Sequence, residues 1–334
     1  MKDAPARKRP AAASAPLTKA KILVAFARQR LPNPTAALNQ FEFPLRAPSV
    51  PGGVEPLPPE RRTGADYDTE WARRPAARLT RRAITDGLVR PLSNALADPE
   101  VTGQDRLDMV DGPVIFTANH HSHLDTPLLI GALPTRFRHK VFAAAAADYF
   151  FGNRVTGAAS ALVLNAIPME RTRISRRSAD ESAELLDDGW SMVIFPEGGR
   201  SPDGWGRPFK GGAAYLAVRC DVPVVPVHIG GTDRLFPKGT KRPKPGSTRV
   251  TFGTPLLPAE GEDSRRLGPR IEAAVAALAD EVDTDWYSAK RRFHSGDTPS
   301  LTGPDATSWR RTWQLGERKP LHRGKRSKHQ RAWP

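Results

Sequence analysis

Cysteine is nearly absent from the chain: Cys220 stands alone among 334 residues. A single thiol allows no intramolecular disulfide and no cysteine-rich metal site, so an intracellular setting is expected. Long apolar runs are missing too. No stretch approaches the roughly 20 residues needed to span a bilayer. The run Ile22–Ala27 behind the basic start is too short for a signal-peptide core. A soluble or peripheral protein is the expectation. No internal repeat recurs at a fixed period.

Acidic residues are scarce only at the ends. The formal net charge is +15; residues 1–30 hold eight Lys/Arg against Asp3, and residues 310–334 hold nine against Glu317. The tails therefore carry the whole excess as +7 and +8, and the 279 residues between them balance 34 bases with 34 acids. Basic tails suit either a nucleic acid or an anionic lipid surface. A nucleic-acid-binding protein is the rival reading from another class. The neutral body shows no aromatic-interleaved basic stripe, so no nucleic-acid partner is expected.

Four regions follow from the pattern. Residues 1–65 are a basic, proline-rich arm and linker, with eight prolines between 31 and 64 and a short basic amphipathic segment at 17–31. Residues 66–109 are helical. Leu79, Ala83, Leu88, Leu92 and Ala95 recur at three- to five-residue steps beside Arg78, Arg81, Arg82 and Arg90, which suits a membrane interface or simple core packing. Pro91 should kink or end that helix. Residues 110–285 alternate strand and helix. Strands are expected at 113–117, 140–145, 161–167, 191–195, 222–229 and 248–252, and helices near 124–133, 148–158, 175–188, 211–220 and 264–282. Residues 286–334 are expected as a basic tail. The fold class is therefore α/β, a central mixed sheet flanked by helices, with N-terminal amphipathic helices and basic tails.

Chemistry concentrates in Asn119-His120-His121-Ser122-His123-Leu124-Asp125, between the apolar run GPVIFTA and the helical stretch TPLLIGAL. His120 and Asp125 lie five residues apart, about 140° around an ideal helix, and would not share a helical face. A turn before the helix lets the chain fold back so that Asp125 meets the His120 Nδ1–H, leaving Nε2 as a general base. Capping of the following helix is the plainer alternative. A metal site is not expected, because the three histidines come from one loop and His228 and His294 are isolated. Cys220 reads as a buried small hydrophobe.

Asn119-His120-x-Ser122-xx-Asp125 resembles the first motif of the glycerolipid acyltransferases, among them the bacterial 1-acylglycerol-3-phosphate O-acyltransferases. Four blocks follow in family order: Ile167-Pro168-Met169-Glu170-Arg171, Phe195-Pro196-Glu197-Gly198-Gly199-Arg200-Ser201, Phe209-Lys210-Gly211-Gly212 and Val222-Pro223-Val224-Val225-Pro226-Val227. Two positions depart from the family: Gly199 stands where a threonine is usual, and Pro168 where phenylalanine is frequent.

The resemblance implies transfer of a fatty acyl chain from acyl-CoA or acyl-carrier protein to 1-acylglycerol 3-phosphate (lysophosphatidic acid), giving phosphatidic acid. It implies no cofactor beyond the thioester co-substrate. Alternative acceptors are glycerol 3-phosphate, another lysophospholipid or a glycolipid. His120 and Asp125 would be catalytic, and Arg171, Glu197, Gly198, Arg200 and Lys210 would bind substrate. The setting would be cytoplasmic, peripheral on the inner face of the cell membrane, with the phospholipid surface as partner.

Overall fold

The computed structural model describes residues 64–170, 176–201, 204–240 and 242–303. The basic tails, the segment 17–31 and Arg171 lie outside the described residues. Among the described residues seven strands form one sheet: β1 (Pro99–Thr102), β2 (Ile115–Ala118), β3 (Val141–Ala146), β4 (Ala166–Met169), β5 (Ser191–Ile194), β6 (Val224–Gly230) and β7 (Thr248–Phe252). Their order across the sheet is β1-β7-β6-β2-β5-β3-β4. All neighbouring pairs are parallel except β6 and β7, so the sheet is mixed as expected.

Helices cover both faces of the sheet. They are α1 (Pro75–Ile84), α2 (Arg90–Ala97), α3 (Asp125–Ala132), α4 (Thr135–Arg138), α5 (Ala147–Phe150), α6 (Arg154–Leu164), α7 (Arg176–Asp187), α8 (Gly212–Cys220), α9 (Thr232–Leu235), α10 (Ser264–Asp283) and α11 (Trp286–Ser295). With both faces covered, every residue of β2, β4 and β5 is buried. The strand pleat divides β2 between two cores. Phe116 joins Leu129, Phe137 and Phe252 on one side, while Ile115 joins Phe142, Met192 and Leu216 on the other. Phe116 meets Phe137 edge-on at 5.5 Å and Phe252 at 6.3 Å, contacts worth about 0.5–1.5 kcal/mol each beyond area burial.

Four elements depart from expectation. The strand expected at 161–167 begins only at Ala166. The Asn153 side chain caps α6 by accepting from the Val155 amide at 2.8 Å, and the helix runs on through Ala161–Leu164 until Asn165 turns left-handed at φ 49°. A short apolar run cannot by itself distinguish strand from buried helix. Pro91 does not end its helix: the π-helical turn Thr85–Val89, in which the Arg90 amide reaches back to the Thr85 carbonyl, joins α1 to α2. Strand β1, only half buried, carries no apolar alternation that would announce it. Residues 286–295, assigned by sequence to the tail, form α11, which Arg292 ties to Asp280 of α10 through two hydrogen bonds of 2.7 Å.

The apolar stripe on α1–α2 points outward. Leu79, Leu88 and Leu92 are exposed, whereas Arg81, Thr85, Ser93 and Ala97 are buried. Arg81 is held by the Leu162 carbonyl at 2.8 Å and by the Ala72 carbonyl. Core packing does not account for the leucines.

Candidate active site

The loops that leave the carboxyl ends of β2, β4, β5 and β6 converge on one side of the sheet, where open α/β sheets bind ligands. Just after β2, buried Asn119 extends the pairing with β6 through its side chain. It donates to the Ile229 carbonyl and accepts from the Ile229 amide, both at 2.8 Å. This clamp fixes the start of the loop that carries His120.

Asp125 is the first residue of α3 and is wholly buried. Its Oδ2 lies 2.9 Å from His120 Nδ1 and accepts the His121 and Ser122 amides at 2.7 and 2.8 Å. The chain does fold back before the helix. With Nδ1 engaged by a carboxylate, the imidazole keeps its proton there and presents Nε2 to the cavity. The His120 ring stacks on Phe195 at 4.2 Å and 24°, which fixes its plane. Burial alone would raise the Asp125 carboxyl. The hydrogen bond and charge of His120, the Ser122 amide and the Thr232 hydroxyl outweigh that effect and hold it below the usual carboxylate value.

The Glu197 carboxylate braces the pair from below. One oxygen accepts the His120 amide at 2.9 Å and the other the Arg207 amide at 3.1 Å. The side chain is buried and does not line the cavity beside His120. Glu197 thus stands as a strut between two loops. Burial pushes its carboxyl up to about 7; the two amides oppose that rise, Asp125 adds to it and Arg207 opposes it.

A cavity of about 1180 Å³ opens on His120. One part of its lining is apolar: Ala143–Ala146, Leu164, Met169 and Ile194. The other part is cationic, with Arg176, Arg200, Arg207, Lys210 and Lys238. Of the substrate-binding residues expected from sequence, Gly198, Arg200 and Lys210 line this cavity. Gly198 has φ +67°, a backbone angle that favours glycine, and a Cβ there would stand 2.7 Å from the Lys210 ammonium and displace it. The Arg200 guanidinium lies 6.0 Å from the Tyr149 ring centre. Arg171 cannot be placed, although its chain neighbour Glu170 lines the cavity.

The histidines of the loop diverge. His123 bonds Tyr149 Oη at 3.0 Å, and His121 lies near enough to His228 to oppose its protonation. Among the described residues no group of three or more His, Cys, Asp or Glu is arranged to hold a metal ion. Cys220 is half buried, on the margin of the second core.

Residues 98–230 match the family model described as Acyltransferase. The match covers well under half of the chain. The chain is 30% identical over 167 residues to the chloroplastic 1-acyl-sn-glycerol-3-phosphate acyltransferase BAT2 of Brassica napus, spanning 49% of this chain and 46% of that one. It is 28% identical over 177 residues to the human 1-acyl-sn-glycerol-3-phosphate acyltransferase alpha, spanning 52% and 61%. The chain thus spans about half the length of these curated relatives. The crystal structure of the LPA acyltransferase PlsC from Thermotoga maritima aligns over 67% of this chain and 87% of its own, with 27% identity and a TM-score of 0.49.

The site also uses residues that the sequence did not single out. Thr232, Arg207, Arg176 and Lys238 lie outside every quoted motif. A lone threonine or arginine carries no spacing signal, and only the meeting of loops assembles them. Arg207 comes close to Gly199: a Cβ on that glycine would stand 3.7 Å from Arg207 Nη1.

Proposed function

We propose that the protein is an O-acyltransferase that moves an acyl chain from a thioester, acyl-CoA or acyl-carrier protein, to 1-acylglycerol 3-phosphate, forming phosphatidic acid. The observation that carries this reading is the His120–Asp125 pair at a cavity lined by five cations and an apolar wall. His120 Nε2 takes the proton of the acceptor hydroxyl as its oxygen attacks the thioester carbonyl. The tetrahedral adduct collapses, the C–S bond breaks, and the imidazolium returns the proton to the departing thiolate. Asp125 stabilises the imidazolium in between. The substrate hydroxyl is the nucleophile, so no acyl-enzyme forms. Arg200, Arg207 and Lys210, with Arg171, hold the acceptor phosphate, and the apolar wall takes acyl chain.

The same reading makes the protein peripheral on the inner face of the cell membrane. Among the described residues no helix is long and apolar enough to cross a membrane. The exposed leucines of α1–α2 stand beside Arg78, Arg82 and Arg90, a pattern suited to the lipid interface. The basic tails add electrostatic attraction of about 1 kcal/mol per residue near an anionic surface.

The test is transfer by the purified full chain, read by mass spectrometry. Lysophosphatidic acid, glycerol 3-phosphate, another lysophospholipid and a glycolipid are offered with each donor type. Phosphatidic acid should dominate, and His120→Ala should lower its formation by about 10²–10⁴-fold. A folded His120→Ala protein that keeps substantial transfer would reject the mechanism.

A further inference from the structure

Thr232 stands two residues beyond β6, in the turn Gly230-Gly231-Thr232 that opens α9, and is wholly buried. Its Oγ1 donates to Asp125 Oδ1 at 2.6 Å. The three hydrogen bonds from His120, His121 and Ser122 all fall on Oδ2. Among the described residues Thr232 thus supplies the one hydrogen bond on the opposite oxygen, and it fixes the rotation of the carboxylate about its own axis. The turn itself cannot drift. Gly231 adopts φ +88°, and a Cβ there would meet the Ser247 carbonyl oxygen at 2.8 Å. Ser122 Oγ donates to the Phe236 carbonyl at 3.0 Å, and Leu235 packs with Leu124 and Leu128. The 230–236 turn is therefore stapled to the His120 loop from both ends.

We propose that Thr232 is a positioning residue of the transfer reaction: through Asp125 Oδ1 it sets the orientation of the carboxylate and hence the basicity and aim of His120 Nε2. This rests on the acyl-transfer reading of the site. A hydroxyl donated to the carboxylate draws charge away from the His120 side. Removing it leaves Oδ1 buried without that donor, so the carboxylate loses one constraint on its rotation, and the charge no longer shared with the hydroxyl stabilises the imidazolium. The other titratable or charged groups facing the pair are Glu197 and Arg207 from the loop after β5, His121 from the loop after β2, and His228 on β6. All of them stay in place in the variant.

The experiment compares wild type, Thr232→Val and Thr232→Ser as full-length proteins. Thr232→Val keeps the shape and lacks the donor; it should lower kcat about 10- to 100-fold with little change in KM. The acidic limb of its pH–rate profile should move to higher pH, and Thr232→Ser should restore both. Histidine-labelled NMR gives a readout that needs no turnover. The His120 resonances, assigned with His120→Gln, should titrate at higher pH in Thr232→Val. Should wild type transfer no acyl group, the acyl-transfer reading fails, and the NMR titration still decides the coupling. Unchanged kcat and unchanged titration in folded Thr232→Val would overturn it. So would a loss of activity that tracks only the unfolded fraction.

Discussion

At the residue scale the site separates into groups that act and groups that aim. His120 faces the cavity, while Asp125 and Glu197 are buried and hold it by its ring and by its backbone amide. Arg207 has a more specific consequence. It reaches toward Gly199, the position at which the family usually carries threonine. A Cβ there would rest in ordinary contact with Nη1 at 3.7 Å, and atoms beyond Cβ extend from that point. A hydrogen bond to a charged group is worth about 1.5–3 kcal/mol. Arg207→Gln should therefore raise KM for lysophosphatidic acid about 10- to 100-fold and leave a neutral monoacylglycerol acceptor nearly unaffected. Gly199→Thr should act in the same direction. Equal effects of Arg207→Gln on both acceptors, measured by steady-state kinetics, would refute a role in phosphate binding.

At the element scale, periodicity located most of the sheet and its helices. The expected strand at 248–252 and the helices near 211–220 and 264–282 sit within a residue or so of Thr248–Phe252, Gly212–Cys220 and Ser264–Asp283. It failed where a neighbour decided the outcome. Ala161–Leu164 joins α6 because the cap at Asn153 had already started a helix, and β1 exists because β7 offers it a partner. The α1–α2 segment failed differently. Its stripe was legible, but the side that faces the body was not, since Arg81 finds two backbone carbonyls there. The outward leucines lead to a prediction. Each leucine buried in lipid contributes about 1.5–3 kcal/mol, so Leu79→Ser, Leu88→Ser and Leu92→Ser combined should abolish flotation with anionic liposomes. The urea midpoint should stay nearly unchanged, because these side chains are exposed in the fold. Undiminished flotation would remove this segment from the membrane contact.

At the scale of the whole molecule, two buried groups tilt stability in opposite directions. Burial, with the repulsion of His121 and Arg249, pushes His228 down to about 4, against a weaker pull from Asp125. Its contribution is present above about pH 6.5 and lost as pH falls through 4. Glu197 is raised to about 7; its contribution is present below about pH 4.5 and lost as pH rises through 7. Each amounts to about 3 kcal/mol at full extent. Between pH 5 and 6.5 the folded state has released the His228 proton and kept the Glu197 proton, so the two slopes nearly cancel. His228→Gln should therefore become less stable from pH 5 to 6.5, and Glu197→Gln more stable over the same range, in urea titrations. Parallel slopes in both variants would contradict these assignments. The sequence by itself determined the α/β alternation, the reactive heptapeptide and the order of the motif blocks, because each is written in local spacing. Tertiary structure alone decided that Glu197 is a strut, that Thr232 reaches Asp125, that Arg207 enters the cavity and that the leucine stripe faces outward. Those contacts join residues from 10 to 107 positions apart in the chain, or depend on which side of an element meets the sheet. No periodicity within one segment encodes such a meeting; it exists only once parallel strands bring their carboxyl ends together.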